Sequence, residues 1–99
     1  MLEQNYPNPF NPTTKIKYQI PVVGLVLVQV YNMLAEVVTT LVNEEKPIGS
    51  HEVDFNATSF PSGIYFYKLQ VYPVNGGAGS PSKSSGQSFV ETKKMVLLR

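Results

Sequence analysis

The chain has 99 residues, 42% hydrophobic and 15% charged, with a net charge of +1 and no cysteine. That length supports one domain with a single modest core, burying roughly 60 to 70% of the surface an unfolded chain exposes, and excludes a two-domain enzyme. The near-neutral charge removes the electrostatic footprint of nucleic-acid binding, and the missing cysteines remove disulfides, thiolate chemistry and Cys-based zinc sites.

The opening stretch, Gln4-Asn5-Tyr6-Pro7-Asn8-Pro9-Phe10-Asn11-Pro12-Thr13, has three prolines in six residues. Each fixes its own φ and pushes its predecessor away from helix. Residues 1–13 are therefore expected as an extended lead-in, with Leu2, Tyr6 and Phe10 as apolar anchors against the body of the domain. Met1-Leu2-Glu3-Gln4 has neither the basic region nor the apolar stretch of a signal peptide, so export would rely on a signal elsewhere.

Residues 14–99 form the expected body. Thr14 to Ile20 alternates, with Ile16, Tyr18 and Ile20 on one face and Lys15, Lys17 and Gln19 on the other, the period of a half-buried strand. Pro21 ends it. Leu25 to Tyr31 is apolar on both faces and predicts a more covered strand. It includes the end of the longest apolar run, Val22 to Val28, far short of a membrane span. Asn32 to Ala35 reads as a turn, Glu36 to Val42 as a third strand, and Asn43 to Ser50 as an exposed connection. His51, Val53 and Phe55 alternate with Glu52, Asp54 and Asn56 in a fourth strand.

Phe60-Pro61-Ser62-Gly63 makes a tight corner. Tyr65, Tyr67, Leu69 and Val71 then share one face of a fifth strand, with Ile64, Phe66, Lys68 and Gln70 on the other. Residues 74–86 are rich in Gly, Ser and Pro and are expected as a flexible loop, followed by a sixth strand from Gln87 to Leu98. Turn signals every 8 to 12 residues predict an all-β fold, an immunoglobulin or fibronectin type III-like antiparallel β-sandwich of six to seven strands. Tyr65 stands where such folds place a corner tyrosine, its hydroxyl bonded back to the preceding turn.

Residues suited to catalysis are sparse. His51, the single histidine, lies in the apolar phase of its strand and is expected to be structural. Glu44 and Glu45 are expected to be solvated, and no cluster has calcium-loop or zinc spacing. Gly76-Gly77-Ala78-Gly79 lacks the Lys and helix of a phosphate-binding loop. No enzymatic activity, cofactor, metal or small-molecule substrate is expected. Asn56-Ala57-Thr58 matches a glycosylation sequon by pattern alone. Tyr6, Phe66 and Tyr72 would have to meet to form a sugar-stacking platform, against the ordinary use of strand aromatics in packing.

The last strand departs from simple alternation, because Met95, Val96, Leu97 and Leu98 are consecutive and face both sides. One face needs cover from the lead-in or from a partner, with Lys93, Lys94 and Arg99 at the rim. One of the pairs Met95/Leu97 and Val96/Leu98 is expected in the core, the other as a contact surface.

Leu2 to Thr14, Val30-Tyr31-Asn32-Met33-Leu34, Gly63-Ile64-Tyr65-Phe66-Tyr67-Lys68-Leu69 and Thr92-Lys93-Lys94-Met95-Val96-Leu97-Leu98-Arg99 resemble, in that order, the type A C-terminal sorting domain of the type IX secretion system. The resemblance implies an immunoglobulin-like, non-catalytic domain following a larger cargo protein, in Bacteroidota and related bacteria. It would direct that cargo from the periplasm across the outer membrane to the cell surface or beyond. The implied partners are the secretion translocon and a sortase-like protease. On that reading, recognition falls on Gly63, Tyr65 and Leu69 and on Lys93, Lys94, Met95, Leu97, Leu98 and Arg99. Two departures from the family stand out: Ala35 replaces the glycine usual after the Asn-x-Leu turn, and the 74–86 connection is long. The rival readings are a structural or adhesive module self-associating through its terminal strands, and a carbohydrate-binding accessory domain of a secreted hydrolase.

Overall fold

Six strands form in chain order: β1 (Thr13–Ile20), β2 (Gly24–Tyr31), β3 (Val37–Lys46), β4 (Gly49–Asn56), β5 (Gly63–Pro73) and β6 (Phe89–Leu97). The structure, a computed structural model, describes residues 1–74 and 88–98. No helix occurs among them. β1 and β4 pair in one antiparallel sheet, and the other four form a second antiparallel sheet in the order β3-β2-β5-β6. These are the B-E and C′-C-F-G neighbourhoods of an immunoglobulin-type sandwich.

A two-stranded ribbon is marginal by itself, and the lead-in completes it. Met1 and Gln19 exchange backbone hydrogen bonds, Leu2 bridges Tyr18, and Tyr6 and Lys15 exchange a second pair. Further on, Phe10 bridges Leu97 of β6 in parallel. The lead-in thus runs along one sheet and then crosses to the other, taking the place of strand A. Leu2 and Phe10 are buried as anchors, but Tyr6 is 81% exposed. The inward phase slips between Leu2 and Asn5, where Gln4 is exposed and Asn5 is buried, and this turns Tyr6 outward.

Alternation supplies the core. Ile16, Tyr18 and Ile20 of β1 and Phe55 of β4 face Val26, Val28 and Val30 of β2, Tyr67, Leu69 and Val71 of β5, and Met95 and Leu97 of β6. Each such apolar side chain contributes about 1.5–3 kcal/mol on burial. The Phe10, Phe55, Phe60 and Tyr65 rings follow one another at centroid spacings of 5.8, 5.7 and 6.2 Å at the corner end.

β3 corrects the expected connection at Asn43 to Ser50. Asn43, Glu44, Glu45 and Lys46 pair with Leu27, Val26, Leu25 and Gly24 of β2, so only Pro47 and Ile48 link β3 to β4. At this sheet edge the side chains of residues 43–45 are exposed. The backbone ladder therefore carries the strand without an apolar phase, and edge charges discourage pairing with another chain. The loop expected at 74–86 lies, after Val74, outside the described residues.

Three turns use special backbone, the β3–β4 turn through Gly49 at φ 134 and two others. Ala35 has φ 66, the left-handed region, and Gly63 has φ 153 where the corner enters β5. Two residues later the Tyr65 hydroxyl donates to Pro61 O at 2.7 Å, the expected corner bond.

Candidate functional site

β6 is an edge strand whose two phases are now separated. Met95 and Leu97 are fully buried, whereas Lys94 and Leu98 are exposed and Val96 is half-buried. Lys93 shares the inward phase and is half-buried, so it is less of a rim residue than expected. Arg99 lies outside the described residues. Only register decides between the two apolar pairs: Met95 opposite Tyr65 and Leu97 opposite Gly63 fall on the core side of β5.

The same ladder joins the two groups of predicted recognition residues. Gly63 pairs with Leu97, Tyr65 with Met95, and Leu69 with Glu91. Tyr65, Leu69, Met95 and Leu97 are all buried. In the folded domain they build the inner side of the ladder, and the outer side carries Lys94, Val96 and Leu98 instead. Ile64 and Phe66, opposite Val96 and Lys94, extend that outer face across β5. Beside them a shallow depression of about 370 Å³ is lined by Tyr31, Ala35, Phe66, Lys68 and Thr92, with the Lys68 ammonium 4.9 Å from the Tyr31 ring centre.

The free edge of β6 is clasped by the lead-in. Phe10 N donates to Val96 O at 2.9 Å, Leu98 N donates to Phe10 O at 3.0 Å, and Val96 N donates to Asn8 Oδ1 at 3.0 Å. Gln4 Nε2 reaches Lys94 O at 2.8 Å, and Leu2 N donates to the Glu91 carboxylate at 2.7 Å. Backbone groups that would template another strand are thereby satisfied internally between Lys94 and Leu98.

Asn5 holds this clasp in shape. It is buried, its Nδ2 donates to Pro7 O at 3.0 Å and to Thr14 Oγ1 at 2.9 Å, and its Oδ1 accepts from Gln4 Nε2 at 2.7 Å. Asn5 N donates to the Tyr67 hydroxyl at 2.7 Å, and that hydroxyl donates to Glu3 O at the same distance. Burial pushes the Tyr67 phenol up to about 12, partly offset by the bond from Asn5 N. No buried polar side-chain atom is left unpartnered among the described residues. Gln4, Asn5, Asn8, Glu91 and Tyr67 thus hold the lead-in in place against β6, although the sequence reading gave them no role. For Asn5 and Asn8 the signal was asparagine spaced among prolines, where a short amide can satisfy backbone that proline geometry leaves open; Gln4, Glu91 and Tyr67 carried none.

The groups considered for chemistry are occupied by structure. The His51 ring lies 5.4 Å from that of Tyr18, and its Nε2 bonds Pro47 O at 2.9 Å. Glu44 pairs with Lys46 at 2.8 Å, and this bond holds the Glu44 carboxyl below its ordinary range. Lys15 bridges Glu52 and Asp54 at 3.2 and 3.0 Å, which raises its ammonium pKa. No three acidic, His or Cys side chains gather to hold a metal among the described residues. Tyr6 sits beside β1 while Phe66 and Tyr72 lie on β5 in the other sheet, so the three do not form one stacking platform.

Comparison with known proteins adds a family. No curated protein matches the chain, and no solved structure does. The family model described as the secretion system C-terminal sorting domain matches residues 4–73, from the lead-in through β5, and leaves β6 beyond the matched stretch. With more than half of the chain covered and an all-β sandwich beneath it, the chain belongs to the type IX secretion C-terminal sorting domain family.

Proposed function

We propose that this domain is the address by which a larger cargo protein is recognised in the periplasm, carried across the outer membrane by the type IX translocon and delivered to the cell surface or medium. The family match over residues 4–73 is the observation that carries this reading. The proposed recognition surface is the outward phase of β6, Lys94, Val96 and Leu98, with Arg99 beyond it. Gly63, Tyr65, Leu69, Met95 and Leu97 act by fixing its register against β5. A sortase-like protease would cut upstream of the lead-in, in the connection to the cargo. Self-association through terminal strands is disfavoured by the hydrogen bonds the lead-in and β6 already make to each other.

The test fuses the domain to a periplasmic reporter in a type IX-competent host. Deleting residues 91–99 would remove Met95 and Leu97 from the core as well as the proposed signal, so exposed substitutions are more informative. Lys94→Glu and Leu98→Asp should leave stability within about 0.5 kcal/mol, as surface changes do. Together they should trap the reporter in the periplasm. Export at the level of the unsubstituted domain would refute the assignment of β6 as the recognised strand.

A further inference from the structure

An apolar cleft of about 280 Å³ opens between the end of β1 and the start of β6. Ile20, Leu69, Val71, Phe89 and Val90 line it, with Met1 at its mouth. Phe89, which shares the inward phase of β6 with Met95 and Leu97, is nevertheless 39% exposed there, an unusual amount of apolar surface for the margin of a core. Along the rest of this side of the sandwich, the lead-in fills the space between the same two strands. Leu2, opposite Tyr18, turns into the core, and Met1, opposite Gln19, turns out to solvent at 67% exposure.

We infer that the cleft is the seat of the residue immediately preceding Met1 in the exported protein, and that this residue is apolar. The register places that residue opposite Ile20, whose side chain is buried. Strand alternation turns it inward, in phase with Leu2 and out of phase with Met1. The pairing ends one step later, because Met1 and Gln19 exchange hydrogen bonds. The next exchanging pair would need an N–H from Pro21, which has none. The seat therefore takes one inward side chain. Its volume suits a large one, since a dry cavity about half this size already holds a benzene ring. The cargo connection would thus be docked on the sandwich up to this point and free beyond it. This rests on the reading that cargo precedes the domain.

The test uses the full chain extended upstream of Met1 by three residues, Ser-Thr followed by Leu, Gly or Asp. The leucine version should show a folding equilibrium constant about tenfold above the aspartate version by urea denaturation, with glycine between. Nuclear Overhauser contacts should run from the leucine methyls to Phe89 and Ile20. Equal unfolding midpoints for the three, or leucine methyls without those contacts, would overturn the inference. Reporter export is read in parallel. A stabilising leucine with the reporter retained keeps the seat and removes the sorting function, whereas equal stability with export intact does the reverse.

Discussion

Ala35→Gly should stabilise the domain. Ala35 closes the β2–β3 turn at φ 66, where an L-residue's Cβ crowds the following carbonyl at a cost of about 1–2 kcal/mol. Glycine removes that strain but gives up about 0.5–1 kcal/mol through the greater freedom of the unfolded chain. The net expectation is about 0.5–1 kcal/mol in favour of the variant. Little else changes, because the turn is held by other groups. Asn32 Oδ1 accepts from Leu34 N at 2.8 Å and Glu36 N at 3.0 Å, and Ala35 N donates to Asn32 O at 3.0 Å. The Ala35 methyl is exposed. Urea denaturation should show a higher midpoint at unchanged slope, and the thermal midpoint should rise by about 2–6 °C. Ala35→Val should move both the other way. A glycine variant with an equal or lower midpoint at the same slope would refute the strain argument.

Gly24→Ala should cost about 1–3 kcal/mol, because a Cβ there would stand 2.7 Å from Tyr72 O and 3.1 Å from Val71 Cγ1, forcing β2 and β5 apart. A thermal midpoint within a degree of the parent would show that the strands can yield. Tyr65→Phe removes the donor to Pro61 O and should lower stability by about 1–2 kcal/mol in urea. If stability is unchanged, the corner bond is dispensable. Tyr67 gives a pH dependence: its folded pKa of about 12 exceeds the ordinary 10.0. The stabilisation is complete below pH 10, and the unfolded chain gives up its proton first above that. Stability should therefore fall between about pH 10 and 12, by on the order of 2 kcal/mol. Tyr67→Phe, compared across the same range, should lack that extra slope and isolates it from the lysines. Parallel pH profiles for the two would contradict the burial of the phenol.

The legible part of the fold was the part that alternates. β1 and β5 announce themselves because one phase of each is apolar and buried, β4 alternates although only Phe55 of it is buried, β2 shows as a covered strand because it is apolar on both faces, and the corner tyrosine is marked by the Pro61-Ser62-Gly63 turn just before it. β3 beyond Val42 was illegible because an edge strand with exposed side chains needs no apolar phase. Its charges read as loop although its backbone completes a ladder. The inward phase of β6 was undecidable from four consecutive apolar residues. The choice is made by pairing with β5, a contact between segments separated by the 74–86 stretch. The lead-in was legible as extended, but its grip on β6 was not, since it depends on amide side chains meeting backbone nearly ninety positions away.

That grip bears on how an address of this kind works. The outward residues of β6 are few and chemically ordinary, so a linear peptide bearing them would differ little from many other sequences. What distinguishes the folded domain is their rigid placement. Met95 and Leu97 anchor the strand from beneath, Tyr65 and Leu69 fix the neighbour that sets its register, and Asn8 and Phe10 close its edge. A β6 released by an undocked lead-in exposes an apolar strand edge, and a lead-in without β6 leaves Phe10 without its parallel backbone partner. On the proposed function, recognition of β6 therefore reports that both ends of the domain have come together. On that same proposal, the outward face of β6 would be presented in full only once Leu2, Gln4, Asn8 and Phe10 of the lead-in are docked along its edge.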